Sequence, residues 1–307
     1  TKESIEIESN TTYYLAGGAY FTSTFAVNDV HDVSILGRGI ARPEAGYEGA
    51  HVYRSNNILI DGLIVNTCPI GESHNVSLHD VRSISYPSWG DGLNVFGGCS
   101  DIFYDRVFCR TSDDCTTVYA TRKGFKGSVR NVRMTNSTLW ADVAHPIMIG
   151  IHGCAEKPDT IQNVTYDNID IICQHECQVE AQGCMAINCG DNNVIRNIVF
   201  DNIRVEQLSY GSLFHIKVTF SEKYSFAPGR SVSDILFRNV RYYGDDPGMS
   251  LLIGYSPERK VSNVTFEGLK INGRHIYDGM PAKPRWYMTT DMVPCYVGPN
   301  VENVVFR

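Results

Sequence analysis

The residues best suited to do chemistry in this chain come in three short clusters. Asp91 stands in Trp89-Gly90-Asp91-Gly92-Leu93-Asn94-Val95, and the pair Asp113 and Asp114 in Thr111-Ser112-Asp113-Asp114-Cys115. His145 follows in Ala144-His145-Pro146-Ile147-Met148-Ile149-Gly150, with His152 close behind it. Each cluster taken singly is ordinary turn chemistry, but the three in succession point to one shared site. Carboxylates held close together cannot all ionise freely, so one keeps its proton and can act as an acid. Cleavage of a glycosidic bond needs that division of labour, with an acid for the leaving oxygen and a base for water. Carboxyl groups roughly 6.5–9.5 Å apart leave room for the water and give inversion at the anomeric carbon. Adjacent residues on a strand point to opposite faces, so Asp113 and Asp114 can share a site only where the strand kinks or bulges. Trp89 and Tyr119 are candidate platforms for sugar rings. Lys217 is a candidate cation for an acidic substrate, His215 two residues before it and His152 are candidate substrate contacts, and His152 also competes with His145 for the role beside the aspartates.

Such clusters need an element that returns side chains to the same place, and the sequence carries one. A phrase of Asn or Asp, Val or Ile, one residue, then a large apolar residue recurs along the chain. It reads Asp32-Val33-Ser34-Ile35, Asn57-Ile58-Leu59-Ile60, Asn75-Val76-Ser77-Leu78, Asp101-Ile102-Phe103-Tyr104 and Asn131-Val132-Arg133-Met134. Later copies are Asn163-Val164-Thr165-Tyr166, Asn197-Ile198-Val199-Phe200, Asp234-Ile235-Leu236-Phe237, Asn263-Val264-Thr265-Phe266 and Asn303-Val304-Val305-Phe306. A repeat of about 20–40 residues indicates a solenoid, and alternating β-branched residues make it one of strands. Asn and Asp suit its corners because they tolerate a left-handed backbone and bond their own chain. The inward Val, Ile and Phe are buried only by stacking coil on coil. The expectation is an all-β chain, residues 1–307 as one domain: a right-handed parallel β-helix of about ten coils. Strands about 4.8 Å apart then place Asp91, the Asp113–Asp114 pair and a histidine on neighbouring rungs of one face.

Composition narrows the partners. A formal charge of −7 leaves no basic footprint for nucleic acid, and no apolar run approaches the roughly 18 residues of a membrane span. The length alone would suggest two domains, but a solenoid core grows lengthwise. Ten cysteines are expected to form disulfides rather than a zinc site, with Cys173–Cys177 and Cys184–Cys189 as local pairs. Disulfides imply an oxidising compartment and a secreted protein. Asn10, Asn75, Asn136, Asn163 and Asn263 head glycosylation sequons, although the corner phrase itself generates Asn-Val-Thr. No metal or other cofactor is expected, and the chain is expected to be a monomer.

At the aspartate clusters the chain resembles a known family. Asp91-Gly92-Leu93-Asn94-Val95, Ser112-Asp113-Asp114-Cys115 and His145-Pro146-Ile147-Met148-Ile149-Gly150 look like the three motifs of the polygalacturonases, family 28 of the glycoside hydrolases. They stand in the same order and at similar separations. The stretches from Tyr13 to Tyr20, Ile35 to Gly39 and Ser212 to Ile216 are similar to those of the related dextranase and isopullulanase family, family 49. The resemblance implies inverting hydrolysis in which Asp113 is the general acid, Asp91 and Asp114 activate water, and His145 orients or tunes the acid. Polygalacturonases carry Arg-Ile-Lys on the coil after the histidine. Here that coil reads Met185-Ala186-Ile187-Asn188, and His215-Ile216-Lys217 comes one coil later. The expected substrate is a polysaccharide, either a dextran-like α-glucan or pectin. Two other readings stand beside it: a polysaccharide lyase on the same fold, and a non-catalytic carbohydrate-binding solenoid. A lyase needs an Arg or Lys base and usually Ca²⁺, and the motifs contain neither Arg nor Lys.

Overall fold

In the computed structural model, residues 4–44, 47–86 and 89–307 are described. The coil phrase does what its residue types require. The Asn or Asp that opens each of the ten copies has a left-handed backbone, with φ between 54° and 60°. In that conformation the side chains line up one above another, and each amide bonds the corner of the coil before. Asn57 donates to Asp32 (2.9 Å), Asn131 to Asp101 (2.8 Å), Asn163 to Asn131 (3.0 Å) and Asn197 to Asn163 (3.3 Å). Asn75 bonds Asn57, and Asn263 and Asn303 extend the series. A second ladder joins Asn136, Asn168 and Asn202 at another corner. The phrase's corner amides are exposed, so each ladder bond is a modest contribution that holds one coil in register on the next.

The fourth residue of each phrase turns inward and stacks. Tyr166, Phe200, Phe237, Phe266 and Phe306 are successive register partners. Their ring centroids lie 5.7, 4.8, 4.9 and 4.6 Å apart. The result is a right-handed parallel β-helix. One face is an eleven-stranded parallel sheet running from Ser4–Glu6 to Cys295–Val297. The other strands pair in parallel too, apart from the antiparallel Leu269–Ile271 and Arg274–Ile276. The one helical element among the described residues is the 3₁₀ turn Thr289–Asp291, and no helix is long and apolar enough to cross a membrane.

The disulfide expectation fails. All ten cysteines are free thiols. Cys184 and Cys189 lie on one strand, Gly183–Cys189. Five residues of extended chain hold their Cα atoms roughly 16 Å apart, whereas a bridge needs about 4.4–6.8 Å. Cys173 instead sits with Sγ 3.1 Å from Ser209 Oγ, and Cys177 is exposed in the following loop. Cys68, Cys99, Cys109, Cys115, Cys184, Cys189 and Cys295 are buried and behave as small core hydrophobes. Burial pushes the Cys115 thiol up to about 12, which keeps it unreactive. The cysteines therefore give no support to an oxidising compartment. The sequons at Asn75, Asn136, Asn163 and Asn263 are corner residues whose amides already donate to the preceding coil.

The ladder makes a graded prediction. Replacing Asn163 by Ala removes its two ladder bonds and strains a left-handed backbone. It should cost about 1–3 kcal/mol by chemical denaturation. Asn163→Gly keeps the backbone free and should cost less.

Candidate active site

The register of the eleven-stranded sheet brings the aspartate clusters together. Leu93, Thr116 and Ile147 are register partners on the strands Leu93–Val95, Thr116–Val118 and Ile147–Gly150. Two residues ahead of each, at the same corner of three successive coils, stand Asp91, Asp114 and His145. Asp113 joins them because it lies in the bend between Phe108–Thr111 and Thr116–Val118, not within a strand. The required kink is therefore a corner of the helix rather than a bulge. Thr111 Oγ1 donates to the Asp113 carbonyl (2.7 Å), and the Asp114 N–H donates to the Asp113 carboxylate (3.1 Å).

One carboxylate oxygen from each of Asp91, Asp113 and Asp114 lies within 4.8 Å of the others. This is closer than the roughly 6.5–9.5 Å expected of an inverting pair. The cause is structural: side chains from one corner of adjacent coils are separated by about the strand spacing of 4.8 Å.

Their charges are set from one side. His145 Nδ1 lies 2.6 Å from Asp114 Oδ1, and the His145 backbone N–H donates to the same oxygen at 3.1 Å. The other ring nitrogen faces the Ala181 carbonyl. With acceptors at both nitrogens, the ring is held as a cation. Burial alone would discharge it, but Asp114 and then Glu176, 3.8 Å away, outweigh burial and lift His145 to about 9. Burial would likewise raise Asp114. The His145 charge and bonds, with a 3.0 Å bond from the Tyr119 hydroxyl, hold it below the ordinary carboxylate value instead. That fixed negative charge acts on the neighbours. Burial and then the charges of Asp114 and Asp91 push Asp113 up to about 7. Burial and Asp114 raise Asp91 to about 6, against a 2.7 Å bond from Asn94.

These groups line a cleft together with Trp89, Tyr119, Arg122, His152, Glu176 and Tyr224. The family model described as glycosyl hydrolases family 28 matches residues 38–282 of the chain. The chain belongs to that family. No curated protein matches it in sequence. In fold it is similar to a hyperthermoactive exopolygalacturonase from Thermotoga maritima: TM-score 0.60 at 11% identity, over 99% of this chain and 81% of that one. A family 28 exopolygalacturonase from Yersinia enterocolitica gives 0.59 at 12% identity, over 98% and 72%. An alginate lyase from a Paenibacillus species gives 0.54 at 13% identity, over 98% and 99%. At such identities the likeness is one of fold.

Within this family 28 site, the remaining expected residues fall into two groups. Trp89 stands at the rim of the cleft, 75% exposed, with Lys223 Nζ 5.8 Å from its ring centroid. His152 lines the cleft but stays uncharged, because burial and then Arg122 lower it to about 3. Tyr119 is buried with its hydroxyl on Asp114, so it positions that carboxylate and offers no face to a sugar. Lys217 and His215 do not line the cleft. Lys217 is 8% exposed, its ammonium donates to the Glu180 carbonyl, and burial lowers it to about 8. His145 contacts Asp114 rather than the proposed acid Asp113.

Several cleft residues escaped the sequence reading, among them Arg122, Glu176 and Tyr224. Arg122 lies over the Tyr119 ring at 4.3 Å, with a buried Nη1 that has no hydrogen-bond partner. Glu176 backs His145, and Tyr224 meets His152 edge-on at 6.5 Å. Arg122 sits three residues past Tyr119, outside every motif. Glu176 is hidden in the cysteine-rich segment.

A raised carboxyl pKa has a stability consequence with a definite sign. Asp113 titrates near 7 in the fold and near 3.9 unfolded. Its favourable share is whole below about pH 4 and is lost as pH rises through 7. Asp113→Asn cannot ionise, so it should melt higher than wild type at pH 8, with the gap closing towards pH 4.

Proposed function

We propose that this family 28 protein hydrolyses glycosidic bonds of an acidic, pectin-type polysaccharide at the three-aspartate corner. The observation that carries the reading is the convergence of three carboxylates within 4.8 Å of one another, with buried His145 bonded to Asp114; that pairing holds Asp114 low, while burial and Asp114 push Asp113 up to about 7. Asp113 donates its proton to the leaving glycosidic oxygen as the C–O bond breaks. A water between Asp91 and Asp114 attacks the anomeric carbon from the other side and gives its proton to Asp91. Asp114, paired with His145, keeps its charge and orients the water. Arg122 supports an acidic sugar over a neutral glucan, since it brings a cation to the cleft wall. It takes the place the sequence had suggested for Lys217. A polymer that crosses no membrane would be met outside the cell, so the enzyme is proposed to act there, as a monomer.

The same Arg122, close to three carboxylates that could hold Ca²⁺, favours a lyase as the second reading. An unsaturated product absorbing in the ultraviolet, with activity lost on chelation, would replace hydrolysis by elimination. The short carboxylate spacing bears on stereochemistry. NMR of the first-formed sugar is expected to show the inverted anomer, and a retained one would mean direct attack by an aspartate.

Asp113→Asn should lower kcat by about 10²–10⁴-fold while substrate binding, measured by calorimetry, persists. A variant turning over near the wild-type rate would remove Asp113 from the acid role. The pH profile of kcat/KM is expected to be a narrow bell. It should rise as Asp91 ionises near 6 and fall as Asp113 deprotonates near 7; both limbs belong to the coupled trio. A plateau extending to pH 9 would contradict it.

A further inference from the structure

The outward face of the eleven-stranded sheet is where a long polymer would lie, and here it is covered on both sides of the aspartates. Towards the N-terminus, Tyr53, Gly71, Phe96 and Tyr119 follow one another in an outward column. The chain after Tyr119 turns back over that column. Arg122 and Phe125 close the turn with paired backbone bonds of 2.9 and 3.0 Å. Phe125 lies on Gly71, where any added Cβ would come within 2.6 Å of its ring, and stacks on Phe96 at 5.8 Å. The Lys126 N–H then donates to the Glu72 carboxylate at 2.9 Å, tying the turn to the preceding coil. Gly71 and Phe96 are buried as a result.

Towards the C-terminus the same face carries Ala186, Asn188, His215 and Lys217, and all four are buried. Segment 176–182 crosses above them. Its Glu180 carbonyl accepts from Lys217, its Ala181 carbonyl faces His145, and Gln178 accepts from the Tyr224 hydroxyl at 2.7 Å and from Lys223 at 3.2 Å. Among the described residues, the aspartates therefore lie between two walls, each anchored to coils beyond the site.

We propose that the enzyme acts only at chain ends, releasing a short product of fixed length. This rests on the hydrolase reading above. An internal stretch of polymer would need open sheet on both sides of the cleaved bond, and each side ends at a wall. A terminus needs only the space between them. The Arg122–Phe125 turn is the N-terminal stop, held by Phe125 on Gly71 and by Glu72.

The test follows the digestion of polygalacturonate by chromatography and viscometry together. Wild type is expected to yield a single short product from the first time points, with viscosity nearly constant while reducing ends accumulate. Phe125→Ala and Glu72→Ala loosen the stop through side chains that do not themselves line the cleft, and each should shift the products towards longer oligosaccharides. A wild-type ladder of all lengths with an immediate fall in viscosity would overturn end action while leaving hydrolysis intact. A single product unchanged in both folded variants would overturn the turn as the stop. Wild type no more active than Asp113→Asn on polymer and on short oligosaccharides would sink the hydrolase reading itself, and end action with it.

Discussion

Parallel stacking at the strand spacing is the constraint from which the rest of this molecule follows. Once coils stack in register, a side chain at one corner must sit about 4.8 Å from its counterparts above and below. Apolar counterparts become a core column, amide counterparts a hydrogen-bonded ladder, and acidic counterparts a site under electrostatic stress. The phenylalanine stack from Phe200 to Phe306, the Asn131–Asn163–Asn197 ladder and the Asp91–Asp114–His145 corner are three outcomes of one geometry. The fold thus stabilises itself and crowds its carboxylates by the same means.

Crowding alone would scatter the protons among three similar groups. The buried His145–Asp114 pair decides where they go. A cation with acceptors at both ring nitrogens fixes one negative charge, and burial together with that charge raises the two neighbouring aspartates. The pair is buried, and breaking such a pair leaves an uncompensated charge. Glu176 and Tyr119 complete its partners. A carboxyl that keeps its proton and one that stays ionised are in this way separated by environment rather than by residue type.

The thiols illustrate how strongly the coil governs residue use. Cysteine spacing suggested bridges, yet most of these side chains occupy inward positions where a small apolar group is wanted, and two of them share one extended strand. Loops, by contrast, escape the repeat. The turn at Arg122–Phe125 and the segment 176–182 obey no coil pattern, and it is they that wall the cleft and supply Arg122 and Glu176.

The sequence by itself determined the solenoid, its corners and the meeting of Asp91, Asp113, Asp114 and His145, because all of these depend on spacing along a regular repeat. Recurrent Asn and Asp announced the left-handed corners, and alternating β-branched residues announced the strands. Tertiary structure alone decided which carboxylate His145 holds, that Tyr119 positions rather than stacks, and that Lys217 is buried while Arg122 reaches the cleft. These outcomes depend on irregular loops folding back across several coils and on burial. Neither leaves a periodic trace in the chain.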